Sequence, residues 1–348
     1  MGMHSEAQRT AGIKFIKNRS DIGAGTRGSD LGIDAIEVAA INRDDDFFNR
    51  YDYLDVETTN ESVYAKETYD FAKRAQHVYE QCKRLCNAVS DTVSKGYFSV
   101  VLSGDHSSAL GTISGIKSAN PTERLGVIWL DAHADIHSPY TSPSGNLHGM
   151  PMAAVLNVDN TDCMLNDICT ATSACWESMK NLGHEGAKIN ADDIVYFGVR
   201  ETEQPEDTLM DRLGIKNYTV ADVRRSGIQS CVSEALERLS NCDSIYLSFD
   251  VDSMDCNLVS TGTGTPAPDG FNPLEIIEII EMVIRSQRVV CLELVEVNPL
   301  LDLKGNHMAE TAFTVLERAV TLSESLSCLL YTSPSPRDAT LSRMPSSA

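Results

Sequence analysis

The sequence lacks an excess of positive charge. Lys and Arg total 29 against 50 Asp and Glu, a formal net charge of −21 over 348 residues. That balance argues against nucleic acid or an anionic membrane surface as a partner. It is compatible with a cationic substrate, although most of the charge reads as solvated surface. No apolar run is long enough to span a membrane. No secretory apolar stretch opens the chain, and the ten cysteines form no Cys-x-x-Cys pair. A reducing, cytoplasmic compartment is therefore expected rather than a disulfide framework. Cys82 and Cys86, four apart, read as packing. Cys163, Cys169 and Cys175 recur every six residues without strand or turn chemistry to support a metal site. Residues 20–29 are rich in glycine, but their spacing is not the Gly-x-Gly-x-x-Gly of a nucleotide fingerprint. There is no internal repeat.

What is present is alternation. Hydrophobic residues make up 42% of the chain, enough for a sizeable core in one large domain or two smaller ones. Strands are expected over residues 13–17, 99–102, 126–130, 193–199, 214–220, 245–249 and 289–297, with an edge-like strand over 51–56. Helices are expected over 32–40, 108–117, 232–239 and 309–326, with a turn or short helix over 221–227. Another helix starts at Asn272-Pro273, a cap residue followed by proline. The strongest helical signal steps through Phe71, Ala75, Val78, Cys82, Leu85, Val89 and Val93, and Gly96 closes it. Residues 152–192 give no clear pattern. Strands alternating with helices predict an α/β fold: a single three-layer α/β/α domain on a central, mainly parallel sheet. The domain is expected over residues 1–328. Residues 329–348 are Ser/Pro-rich and aperiodic, and read as a non-native or disordered tail.

Three of the strands end in ligand-type residues. Residues 99–102 run into Ser103-Gly104-Asp105-His106. Residues 126–130 run into Asp131-Ala132-His133-Ala134-Asp135. Residues 245–249 run into Asp250-Val251-Asp252. Strand alternation puts Asp131, His133 and Asp135 on one side, and Asp250 with Asp252 on one side. Burying so many carboxylates needs positive compensation, most simply a metal. The thiol-free ligands favour Mn²⁺ or Mg²⁺ ahead of Zn²⁺. Four carboxylates exceed the need of one dication, so two ions sharing carboxylates fit better.

Gly104-Asp105-His106-Ser107, Asp131-Ala132-His133-Ala134-Asp135 and Ser248-Phe249-Asp250-Val251-Asp252-Ser253-Met254-Asp255 resemble, in order, the signature motifs of the arginase-like ureohydrolases. The resemblance extends from about residue 12 to about residue 327. It implies two Mn²⁺ per subunit. One would be held by His106, Asp131, Asp135 and Asp250, the other by His133, Asp131, Asp250 and Asp252. It implies attack of a hydroxide shared by both ions on a guanidinium carbon, with Asp135 relaying a proton to the leaving amine. Glu296 matches the glutamate that pairs with the guanidinium, and His148 the histidine that shuttles protons.

By the same resemblance, Ser142 and Ser144 match hydroxyls that bind a substrate α-carboxylate. His137 stands where an asparagine is usual. Glu203 stands where an aspartate is usual, and Glu206 matches a second acid facing the α-amino group. A carboxylate-binding loop with ammonium-binding acids favours L-arginine, converted to L-ornithine and urea, over agmatine. The alternative is another ureohydrolase, such as an agmatinase, guanidinobutyrase or formimidoylglutamase. A deacetylase-like zinc amidohydrolase needs only one metal, and His133 with Asp252 count against it. A homologue that has lost its metals would lack a ligand, and none is missing. The family resemblance also implies a homo-oligomer, a trimer or hexamer. His4, His77, His184 and His307 lie outside the matched motifs, and Trp129 and Trp176 read as packing.

Overall fold

The structure is a computed structural model that describes residues 12–43 and 46–332. Residues 1–11 of the expected domain lie outside the described residues, as do residues 333–348 of the expected tail. Strands β1 (Ile13–Asn18), β2 (Asp52–Asp55), β3 (Phe98–Ser103), β4 (Leu125–Leu130), β5 (Ile194–Phe197), β6 (Lys216–Tyr218), β7 (Ser244–Asp250) and β8 (Val289–Val295) form one sheet. Their order is β2-β1-β3-β8-β7-β4-β5-β6, and the pairings are parallel. A parallel strand covered on both faces has no solvent side. Accordingly β3, β4 and β7 are buried at every position, which is why they read as apolar runs. β2, at the edge, is exposed throughout.

The helices are α1 (Gly32–Ile41), α2 (Ala75–Ser94), α3 (Ser108–Ala119), α4 (Pro151–Leu156), α5 (Thr170–Lys180), α6 (Gln204–Leu213), α7 (Val220–Ser226), α8 (Ile228–Arg238), α9 (Pro273–Arg285) and α10 (His307–Thr332). They cover both faces. On one side Val101, Val127, Trp129 and Tyr246 pack with residues of α2, α3, α4 and α5. On the other Val100, Leu102, Ile128 and Phe249 pack with residues of α1, α8, α9 and α10. The expected three-layer α/β/α arrangement is what the chain adopts. Asn272 caps α9 as expected, its Oδ1 accepting from the amides of Leu274 and Glu275 at 2.9 and 3.0 Å.

Some boundaries differ from expectation. The helix expected from Phe71 begins at Ala75, because Phe71 and Arg74 take left-handed φ values of 55° and 58°. The Arg74 guanidinium binds the carbonyl oxygens of Ile22 and Ala24, at 2.5 and 2.8 Å. A tertiary tie to the glycine-rich loop thus overrides the 3.6-residue period. The helices α4, α5 and α6 fill stretches where no helix was expected. α4 is buried at every residue, so it has no polar face to reveal its period. α10 continues past residue 328 to Thr332.

Candidate metal centre and substrate pocket

The central strands β3, β8, β7 and β4 are neighbours, so their carboxyl ends converge. Each ends in residues with ligand chemistry. Such a crevice outside the strand ends is where open α/β sheets place their sites.

His106 is at the heart of it. Its Nδ1 lies 3.0 Å from Asp131 Oδ2, 3.2 Å from Asp135 Oδ2 and 3.2 Å from Asp250 Oδ2. Yet Nδ1 makes no geometrically sound hydrogen bond. A buried nitrogen facing three carboxylate oxygens without bonding any is the geometry of a ligand set around a cation. On the other side His133 Nδ1 lies 3.0 Å from Asp252 Oδ2 and 3.5 Å from Asp131 Oδ1. Asp131 therefore turns one oxygen to each imidazole. His106, Asp131 and Asp135 form one group able to hold an ion, and Asp131, His133 and Asp252 another. No cysteine belongs to either, so Cys163, Cys169 and Cys175 stay outside. The six predicted ligands come together in one place.

The electrostatics agree with that reading. Burial would raise Asp131, but the His106 and His133 rings that face it outweigh this and hold the carboxyl below the ordinary range. Burial and the neighbouring Asp131 push Asp135 up to about 6. Burial and Asp252 push Asp250 well above the usual carboxylate value. Burial alone would lower His106, yet Asp131, Asp135 and Asp250 raise it well above an ordinary imidazole. This is a knot of carboxylates short of positive charge, which suits divalent cations.

Glu296 follows β8 directly, with a left-handed φ of 67°. Its amide donates to Gly104 O at 2.9 Å. Its Oε1 accepts from the His106 amide at 3.0 Å and lies 3.1 Å from His148 Nδ1. Its Oε2 is buried without a partner. The carboxylate is thus held by one oxygen while the other is left for a donor. Burial would lower His148, but Glu296 and the nearby carboxylates push it up to about 9.

The predicted head-group residues divide. Ser142 is buried, and its Oγ accepts the Gly145 amide at 2.9 Å. Ser144 is exposed, with its Oγ 3.2 Å from the Asn146 amide. Asn166 pins this loop by donating to Pro139 O and Ser142 O. His137 Nε2 lies 3.1 Å from Glu203 and 3.4 Å from Glu206, and its Nδ1 3.0 Å from Thr141 Oγ1. Glu206 Oε2 also accepts the Glu203 amide at 3.1 Å, closing the first turn of α6. Burial pushes Glu206 up to about 8.

Several supporting residues were not anticipated. Trp129, expected only to pack, stacks on His106 with ring centres 4.0 Å apart, and its indole N–H donates to Asp131 Oδ2 at 2.8 Å. Ser248 Oγ lies 2.7 Å from His106 Nε2. Thr265 donates to Asp252 Oδ2 at 2.9 Å. The signal for two of these was available, since Trp129 and Ser248 each precede a ligand aspartate by two residues on one strand face.

The sequence profile of the Arginase family matches residues 12–321. The arginase of Brevibacillus brevis is 36% identical over 299 residues, spanning 85% of this chain and 93% of that protein. The arginase of Bacillus subtilis is 34% identical over 307 residues, 88% and 96% of the two chains. The crystal structure of the arginase from Bacillus caldovelox superposes with a TM-score of 0.75 at 32% identity, covering 90% of this chain and 98% of that one. The chain belongs to the arginase family. The arginase-family match spans all four converging strand ends and the pocket residues around them. Among the described residues no helix is long and apolar enough to cross a membrane.

Proposed function

We propose that this chain hydrolyses L-arginine to L-ornithine and urea, with two Mn²⁺ ions in the centre described above. One arrangement carries the reading. Asp131 presents an oxygen to each of two imidazoles, and beside them Glu296 keeps one buried oxygen unpaired. His106, Asp131, Asp135 and Asp250 would hold one ion; His133, Asp131, Asp250 and Asp252 would hold the other. The oxygen-and-imidazole ligand set, free of sulfur, suits a hard or borderline dication. When bound, such ions lower the pKa of water enough to supply a nucleophile at neutral pH.

The protein's own groups do the rest. Glu296 Oε2 accepts from the substrate guanidinium, while the His106 amide and His148 hold Oε1 and stop the carboxylate turning. A fixed carboxylate aims the guanidinium carbon, and such positioning contributes much of the rate. Water adds to that carbon, the C–N bond to the side chain breaks, and the leaving amine takes a proton. Asp135, beside that carbon, relays the proton to the leaving amine. His148 exchanges protons from the rim. Ser142 and Ser144 face the substrate α-carboxylate, and Glu203 with Glu206 the α-amino group. In the same reading the chain works as a cytoplasmic homo-oligomer, a trimer or hexamer, which sedimentation of the purified protein tests.

The test is urea release after stripping the metal and reloading with Mn²⁺, with L-arginine and agmatine in parallel. Urea from arginine and little from agmatine is the expected result. The reverse preference would reassign the substrate. Urea from neither, with two Mn²⁺ bound, would overturn the reading.

A further inference from the structure

His148 is held in place by two backbone ties that the chemistry above does not use. Its amide donates to Gly23 O at 3.2 Å, in the glycine-rich loop after β1. Three residues before it, Gly145 O accepts the Lys73 amide at 2.7 Å. Gly23 is in turn tied to the metal-centre motif, its amide donating to Asp105 Oδ2 at 2.8 Å. A closed ring of contacts results. Asp105 holds Gly23, and Gly23 holds His148. His148 Nδ1 lies 3.1 Å from Glu296 Oε1, and that oxygen accepts the amide of His106, next in sequence to Asp105.

Residues 67–74 grip this ring from outside. Arg74 donates through Nε to Ile22 O at 2.5 Å and through Nη2 to Ala24 O at 2.8 Å. One planar guanidinium thus holds the carbonyls on either side of Gly23, fixing direction as well as distance. On the other flank the Lys73 amide holds Gly145. Gly145 has a φ of 69°, and a Cβ there would meet Phe71 Cα at 2.8 Å, so glycine alone admits the approach. The grip has its own internal bonds. Glu67 Oε1 accepts the amides of Thr68 and Tyr69, both at 3.0 Å, and its Oε2 accepts the Arg74 amide at 2.8 Å. Phe71 and Arg74 both take left-handed backbone. Two such residues in four persist only where surrounding contacts hold them, and here they send one amide and one guanidinium to two different loops.

We propose that residues 67–74 form a clasp that positions His148 against Glu296, with Arg74 as its gripping side chain. Arg74 is a positioning residue. The bonds of its guanidinium go to backbone carbonyls, not to a ligand aspartate. They fix the Gly23 loop, the loop fixes the His148 backbone, and the backbone sets where the imidazole meets Glu296. Glu296 keeps the His106 amide and its own tie to Gly104 whether or not the clasp is closed. Loss of the clasp therefore falls on turnover, while substrate and cation binding are spared. The proposal rests on the function reading above, which assigns proton exchange to His148.

The experiment compares Arg74→Asn with the wild-type full chain. Asparagine tolerates left-handed backbone, so the exchange removes the guanidinium without straining the kink. Arg43→Asn is the control. Arg43 also grips two acceptors, Glu310 O at 2.9 Å and Thr314 Oγ1 at 2.7 Å, but it joins the end of α1 to α10. Hydrogen exchange at the His148 amide, read by mass spectrometry with fragmentation to single residues, should be about tenfold faster or more in Arg74→Asn and unchanged in Arg43→Asn. With Mn²⁺ loaded and L-arginine as substrate, kcat should fall about tenfold or more in Arg74→Asn, with KM and Mn²⁺ affinity within about twofold of wild type. Arg74→Lys should recover part of both losses, and it covers the case in which Arg74→Asn does not fold. Exchange at His148 unchanged in both Arg74 variants would overturn the clasp. So would Mn²⁺ affinity falling in step with kcat, since Arg74 would then only hold the fold together. A wild-type chain that releases urea from neither substrate would overturn the function reading instead, and exchange at His148 would still decide the clasp.

Discussion

His137 Nε2 meets Glu203 Oε2 at 3.1 Å, so the two residues that depart from the family pattern are in contact with each other. Each is the larger of its pair of alternatives, imidazole for carboxamide and Glu for Asp. Thr141 steadies the far nitrogen of the ring at 3.0 Å. The two departures therefore read as one coupled change at the head-group end of the pocket. His137→Asn leaves the half-exposed Glu203 without its partner. It should raise KM for L-arginine several-fold with kcat little changed, and adding Glu203→Asp should recover part of the loss. Initial rates for the two single variants and the double variant check this, and strictly additive effects would deny the coupling.

Glu296→Gln should be far more damaging. The amide keeps the size of the carboxylate but loses its charge and one acceptor, while His148 and the His106 amide still crowd the other end. A drop in kcat/KM of about 100-fold or more is expected. Mn²⁺ stoichiometry should be unchanged, because Glu296 holds no ion. Loss of metal along with activity would move Glu296 into the ligand set.

Loading with cations should expel protons. Burial alone would lower His106 and His133, but the surrounding carboxylates raise both well above an ordinary imidazole. In the cation-free protein both rings are therefore protonated at neutral pH. A cation needs the lone pair, so binding releases a proton. Apparent affinity should rise with pH, by about tenfold per pH unit for each proton released. Calorimetry at pH 7 in two buffers of different ionisation enthalpy counts the protons. A count of zero would contradict the assignment of these rings as ligands.

Arg200 should prove structural and indispensable. Its guanidinium donates to the carbonyls of Pro268, Gly198, Asp252 and Ala267, at 2.7, 3.0, 3.0 and 3.1 Å. It ties the end of β5 to the backbone of a ligand aspartate and to the loop that carries Thr265. Lysine cannot span that fan of acceptors. Arg200→Lys should cost about 2 kcal/mol of stability in urea unfolding. It should also weaken the cation held by His133 and Asp252 more than the other.

Much of the site was legible because parallel strands announce themselves. Buried runs stopping at Asp131, Asp250 and His106 located three of its four walls, and the fourth, Glu296, came from the family pattern. What was not legible depends on contacts between segments distant in sequence. The meeting of His137 with Glu203 spans 66 positions and crosses from a loop to a helix start. The capture of Arg74 by the loop at Ile22 moved a helix boundary that periodicity alone put at Phe71. Trp129 is readable only by its place two residues before Asp131, since an indole in an apolar strand otherwise looks like core until its N–H is seen on Asp131. Helix α4, uniformly apolar, carries no period to read.

Asp135 and Glu296 both sit in left-handed backbone, with φ of 49° and 67°. For a residue with a side chain such a conformation costs about 1–2 kcal/mol. Glycine would relieve it at either position. A library of variants sorted for heat resistance alone would therefore be drawn toward glycine at the two positions whose carboxylates the proposed reaction requires. Hardening this enzyme by selection calls for a screen that scores turnover in the same round as survival.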